Sequence, residues 1–223
     1  MIIILLGAPG VGKGTQAKLL AEKYHLKILS TGEILRKAVK EKTEIGMKAE
    51  KIINKGDLVS DDIVCTLIEN ELVIADENFS GYILDGFPRT IEQAKKLDLI
   101  CAKNNLNKPY IITLSLTEGE ILRRLSARFY CSNCDQSYNS VTNSTKIKGV
   151  CDKCLGQNFY IRKDDKIEII KLRLTAYLNQ TKPLIQYYHE SKNYYSIEAD
   201  QDIQTIYSEV ALFIDQSIKV NLS

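Results

Sequence analysis

The first six residues carry no polar side chain. Their apolarity is continuous, not alternating, which predicts a strand buried on both faces. A glycine-rich loop follows over residues 7–14, then a helical period over about 15–24. Residues 27–29 predict a short second strand. Ser30 with Glu33 three positions on reads as a capping box that opens a helix towards Lys40. Gly56 is placed to end another helix near Lys55, and Ser60 or Asp61 can cap the next, which reaches about Asp76. Further apolar strands are predicted at 82–84, ending on Asp85, and at 109–116, with a weaker one at 194–197. Helical periods cover about 90–104, 118–127, 166–190 and 203–218, and Pro183 kinks or divides the third of them. Strands alternating with helices predict an α/β fold: a parallel five-stranded sheet covered on both sides. Residues 130–160 break the rhythm with polar residues, glycine and four cysteines, as expected of a small inserted module.

Composition narrows the picture. With 223 residues, 44% hydrophobic and 26% charged, the chain fits one folded unit with insertions and excludes disorder as its main state. The longest apolar run is far short of the ~20 residues of a membrane span and lacks the basic flank of a targeting segment. The expected location is therefore cytoplasmic. A net charge of +2 gives no argument for nucleic acid or an anionic membrane as partner. The insert agrees: it holds Lys146, Lys148 and Lys153 against Asp135 and Asp152, too weak an excess to grip a polyanion. The chain uses 23 Lys but only seven Arg, so the arginines are candidates for bidentate work that lysine cannot do.

Three constellations carry chemistry. Gly7-Ala8-Pro9-Gly10-Val11-Gly12-Lys13-Gly14-Thr15 matches G-x-x-x-x-G-K between a strand and a helix. In that setting backbone N–H groups and a helix N-terminus cradle phosphates, and the lysine reaches the transferring group. Gly14 follows the lysine where a hydroxyl residue is usual, with Thr15 one later. Asp85 ends a buried strand, where a magnesium-associated carboxylate belongs beside such a loop, and Arg89 follows on a Gly/Pro-constrained turn. The pairs Cys131/Cys134 and Cys151/Cys154 have the spacing of a zinc ribbon; four thiolates would saturate the ion, making the site structural. Cys65 and Cys101 read as buried apolar residues, and His25 and His189 as surface residues without catalytic partners.

Taken with Ser30-Thr31-Gly32-Glu33 and Arg36, with Asp85-Gly86-Phe87-Pro88-Arg89-Thr90 and Gln93, and with Arg162-Lys163-Asp164-Asp165 and Arg173, these residues resemble the adenylate kinase family, in its long-lid, zinc-binding bacterial type. The resemblance implies a three-layer P-loop fold. Its core would be residues 1–29, 60–127 and 166–223, with an AMP-binding segment at 30–59 and a lid at 128–165. It implies magnesium-dependent phosphoryl transfer from ATP to AMP, giving two ADP, by a monomer with a structural zinc. Gly10, Val11, Gly12, Lys13, Gly14 and Thr15 would hold ATP, with Arg124, Arg128, Ser137, Tyr138 and Gln201. Thr31, Arg36, Asp57, Leu58, Val59, Gly86, Phe87, Pro88, Arg89 and Gln93 would surround AMP, with Gln93 on the adenine edge. Arg162 and Arg173 would clamp the phosphates in flight, and Lys13, Asp85, Arg89, Arg124 and Arg128 would complete the catalytic set. Six of the seven arginines fall at these positions and only Arg123 is left over. The nearest alternative is another acceptor, UMP or CMP, or GTP as donor. Ala127, Phe129 and Ala199 depart from the residues many relatives carry, Gly, Arg and Gly respectively.

Overall fold

The computed structural model describes residues 1–53, 58–73 and 78–221. Gly56, Lys55, Asp57 and the predicted end of a helix at Asp76 lie outside the described residues. Strand β1, Ile2–Leu6, is the centre of a five-stranded parallel sheet. Its neighbours are β3, Tyr82–Asp85, and β4, Tyr110–Ser115; β2, Lys27–Ser30, and β8, Tyr194–Glu198, form the edges in the order β2-β3-β1-β4-β8.

Helices cover both faces because β1 alternates its side chains between two cores. Ile2, Ile4 and Leu6 pack towards α4, Asp61–Val73, and α5, Ile91–Lys103. Ile3 and Leu5 pack towards α1, Lys13–Tyr24, and α9, Ile203–Asn221. Every side chain of β1 is buried, and each contributes about 1.5–3 kcal/mol relative to exposure. This sheet therefore holds its carboxyl edge rigidly. The register places Leu5 and Ser30 beside Asp85, so the phosphate loop, the end of β2 and the acid all emerge along that edge. Ligands of open α/β sheets bind there.

The remaining elements sit around that edge. Helices α2, Thr31–Lys40, and α3, Glu44–Ile53, follow β2. Helix α6, Glu118–Ser126, leads into a small antiparallel sheet of β5, Arg128–Cys131, β6, Ser137–Asn139, and β7, Phe159–Tyr160, in the order β6-β5-β7. Helix α7, Ile167–Ala176, returns the chain to the core, where Ile121, Leu125, Ile170 and Leu174 pack under Ala8 of the phosphate loop.

One expectation is corrected, and the division of the last-but-one helical period at Pro183 is borne out. Ser30 is the N-cap of α2, but its side chain makes no capping hydrogen bond, so the capping box with Glu33 does not form. Ser30 is also the last residue of β2, and the sheet fixes its backbone instead. The long helical period over 166–190 is interrupted by a π-helical turn, Tyr177–Thr181, after which Pro183 starts α8, Pro183–Tyr188. The proline has no N–H to give, and the wider turn before it absorbs the missing bond.

Candidate active site

The core wall of the site grows out of the phosphate loop. Gly7 has φ +141°, and a Cβ there would lie 2.4 Å from the Leu114 carbonyl of β4. Only glycine lets the loop lie that close to the sheet. Helix α1 begins at Lys13 itself, so the loop's N–H groups and the helix N-terminus face one point. The Lys13 ammonium donates to the Gly7 carbonyl at 2.8 Å and to the Ala8 carbonyl at 2.9 Å. Burial, with Arg89, Arg173 and Arg128 nearby, brings Lys13 down from 10.5 to about 8, and Asp85 only partly opposes this. Arg89 is likewise lowered to about 10, by burial first and then by Arg173. Its Nε donates to the Gly86 carbonyl at 2.7 Å, an oxygen that also accepts from the Thr31 hydroxyl at 2.8 Å. Gly86 has φ +77°, and a Cβ there would sit 2.8 Å from the Arg89 guanidinium.

Behind this wall lies a buried polar brace. Gln93 is 1% exposed; its carbonyl oxygen accepts from the Arg89 backbone N–H at 2.7 Å, and its amide donates to Asp61 at 2.7 Å. Asp61 also accepts from the Thr90 hydroxyl at 2.8 Å, while the same hydroxyl accepts from the Gln93 N–H and caps α5. The brace orients the Arg89 turn.

The opposite wall is built from ion pairs. Asp165, whose side chain is 0% exposed, accepts from Arg128 through both carboxylate oxygens and from Arg173 at 3.1 Å. Arg173 also reaches Asp164 at 3.2 Å. Burial alone would lower Arg128; the hydrogen-bonded Asp165 carboxylate overcomes it, and the net shift is upward. On α6, Glu120 accepts from Arg124 at 2.7 Å and from two nitrogens of Arg123, and these bonds pull its carboxyl down to about 2. Arg36 is lowered by burial and by Arg162. Arg162 itself lies over the ring of Tyr130, 3.7 Å from the centroid.

These walls enclose one cleft of 1620 Å³. Gly10, Val11, Gly12, Lys13, Gly14, Thr15, Asp85, Gly86, Pro88, Arg89, Arg36 and Leu58 line it from the core and α2 side. Arg124, Arg128, Arg162, Arg173, Ser137, Tyr138 and Gln201 line it from the other side. Thr31, Val59, Phe87 and Gln93 do not reach its surface; they are buried in the wall behind it. A hydrogen bond from Lys18 of α1 to Gln136 beside β6, at 3.1 Å, joins the core to the cysteine-bearing insert. Sequence reasoning gave no site role to Glu120, Arg123, Tyr130, Asp164 or Asp165, and read Asp61 only as a possible helix cap. Only Glu120 had a local signal, its i+3 and i+4 spacing to two arginines.

Beyond the cleft, the four Sγ atoms of Cys131, Cys134, Cys151 and Cys154 lie within 4.8 Å of one another. The pairs Cys131/Cys154 and Cys134/Cys151 are 3.5 and 3.6 Å apart. Tetrahedral thiolate ligation at ~2.3 Å requires sulfur separations of about 3.8 Å, so the set fits zinc and leaves no ligand position open. The Tyr138 hydroxyl contacts the Cys151 sulfur at 3.3 Å and accepts from the Asp152 N–H at 2.7 Å, tying the cluster to a cleft residue. Phe129 packs against Tyr138 and Phe159 as the apolar floor of the same module. Ala127 ends α6 at φ −94°, a conformation that needs no glycine, and Ala199 is fully buried in the sheet core.

Comparison with known proteins agrees with this arrangement. The family model described as adenylate kinase matches residues 5–193. A protein of Lachnospira eligens named adenylate kinase is 42% identical over 210 residues, covering 94% of this chain and 98% of its own. Adenylate kinases of Chloroherpeton thalassium and Enterococcus faecalis are 40% and 37% identical over 219 and 217 residues, covering 98% and 97% of this chain and all of theirs. With the phosphate loop, the converging arginines and the four-cysteine module on one scaffold, the chain belongs to the adenylate kinase family.

Proposed function

We propose that this chain catalyses reversible transfer of the terminal phosphoryl group of ATP to AMP, yielding two ADP. The observation that carries the reading is the set of cations converging on one cleft: Lys13, Arg36, Arg89, Arg124, Arg128, Arg162 and Arg173 face it, and two of them are desolvated enough to be lowered substantially. Burying charge costs free energy that a polyphosphate would return. Phosphoryl transfer asks a protein mainly for positioning and for charge at the equatorial oxygens, and guanidinium groups supply both.

In this reading, Gly10 to Thr15 cradle the ATP phosphates, with Arg124, Ser137, Tyr138 and Gln201 on the nucleoside side. Thr31, Arg36, Asp57, Leu58, Val59, Gly86, Phe87, Pro88, Arg89 and Gln93 form the AMP pocket. Gln93 braces Arg89 through its bonds to Asp61 and the Arg89 N–H, and its amide keeps a second N–H and a second lone pair for adenine. Arg128, Arg162 and Arg173 meet the group in flight. Magnesium supplied with ATP would neutralise phosphate charge, and Asp85, whose carboxylate lies 3.7 Å from where a Cβ on Gly14 would sit, would orient it. Residues 30–59 and 128–165 act as covers over the core, excluding water that would compete with AMP. The Lys18–Gln136 bond is the contact such closure would make. Zinc at the four cysteines acts on the lid's order, and the protein works as a cytoplasmic monomer. Among the described residues no helix is long and apolar enough to cross a membrane.

A coupled assay for ADP formed from ATP and AMP, with and without magnesium, tests the reading. AMP should exceed UMP and CMP as acceptor, and ATP should exceed GTP as donor. Faster turnover with UMP or CMP would overturn the substrate assignment.

A further inference from the structure

Arginines around the cleft are held in two ways. Arg124, Arg128 and Arg173 are tied to carboxylates, and each tie uses N–H donors and offsets charge. Arg162 makes no ion pair among the described residues, and its buried Nε has no hydrogen-bond partner. What it has is the face of Tyr130 at 3.7 Å, with the Tyr160 hydroxyl beside it. That face is fixed in place. Tyr130 is buried in β5 and pairs with Tyr160 of β7, their rings 5.7 Å apart. The Tyr160 hydroxyl is in turn anchored on Asp135 at 2.8 Å. Arg128 lies 5.5 Å from the same ring.

We propose that Tyr130 is a positioning residue for phosphoryl transfer: its ring, with the Tyr160 hydroxyl beside it, holds the Arg162 guanidinium over the cleft by a cation–π contact that brings no carboxylate and leaves the rest of the fork free for phosphate. The physical reason is that a ring attracts a guanidinium through its face without accepting its N–H groups. A carboxylate in the same place would hold Arg162 as firmly but would compete with the substrate oxygens for both charge and donors. The contact also opposes a repulsion. Arg36, across the cleft, is close enough for Arg162 to disfavour its charge, so an unsupported Arg162 would swing towards solvent.

This inference rests on Arg162 acting as proposed above, and the test separates the two. Steady-state kinetics would compare Tyr130→Leu, Tyr130→Phe, Arg162→Ala and the double variant Tyr130→Leu/Arg162→Ala. Tyr130→Leu should lower kcat about tenfold, the size of a desolvated aromatic–guanidinium contact, with the AMP KM moving less than about twofold. Tyr130→Phe should recover most of that loss. In the Arg162→Ala background, Tyr130→Leu should cost nothing further. Should Tyr130→Leu fail to fold, a series of progressively fluorinated phenylalanines at position 130 keeps the shape and drains the ring face, and kcat should fall stepwise along it. Normal kcat in Tyr130→Leu beside a crippled Arg162→Ala, a loss undiminished in the Arg162→Ala background, or no trend along the fluorinated series would overturn the proposal. Near-normal turnover in Arg162→Ala would overturn the role of Arg162 and this inference with it.

Discussion

The two walls of the cleft hold their positive charge differently. On the core wall, Lys13 and Arg89 rest on backbone carbonyls, are half-buried, and are pushed down to about 8 and about 10. On the lid wall, Arg128 and Arg173 converge on the buried Asp165, and Arg128 is raised. The rigid sheet can hold unpaired charge in place through packing alone. A module hinged on short strands has less packing to offer, so its Arg128 is locked by an acid and its Arg162 is held on the Tyr130 ring before any substrate arrives. The core wall is thus short of negative charge, and the lid wall is already supplied with it.

Removing the acid should break the contrast most severely. Asp165→Asn leaves Arg128 without its acid and Arg173 with Asp164 alone, a change expected to cost about 3 kcal/mol. Thermal denaturation should show a large drop in midpoint with loosening of residues 128–165. A drop no larger than that of a surface substitution would mean the pairs are not structural. On the core wall, Arg89→Lys keeps the charge but loses the fork held against Gly86. It should lower kcat by about 10²–10³ with little change in melting. Near-normal turnover would remove the bidentate argument. A smaller effect is expected from the metal module. Cys151→Ser, or stripping the metal, should lower the thermal midpoint and expose the lid to proteolysis while the sheet stays folded, because among the described residues the two apolar clusters that hold β1 share no residue with the cluster of the module. Loss of turnover with unchanged melting and unchanged lid order would contradict a structural site.

How much was legible follows the same division. The sheet, its helices and the phosphate loop could be read because each is a local pattern: a continuous apolar run, a helical period, a loop of fixed spacing. The four cysteines were legible for the same reason. The capping box at Ser30 failed because the sheet, not the helix, fixes that residue's backbone. The brace of Asp61 on Thr90 and Gln93 spans about 30 residues of sequence and leaves no periodic trace. The family resemblance implies an adenine-edge role for Gln93, but its bond to the Arg89 N–H needs the turn's geometry. Phe129 reads only as a departure from the residue many relatives carry, and Tyr130 is given no role, whereas their rings floor the lid module and carry Arg162.

Lys13 tests the contrast between the walls most directly. In the nucleotide-free protein its depressed value penalises the fold below about pH 8, and stability is regained as pH rises from about 8 towards 10.5. Phosphates in the cleft reverse this by favouring the charged form. Calorimetric titration with a two-adenosine polyphosphate at pH 8, in buffers of differing ionisation enthalpy, should show uptake of about half a proton on binding. The uptake should fade towards pH 6 and vanish in Lys13→Met. Uptake that is absent in the unaltered protein, or that survives unchanged in Lys13→Met, would contradict a core wall that waits uncompensated for its substrate.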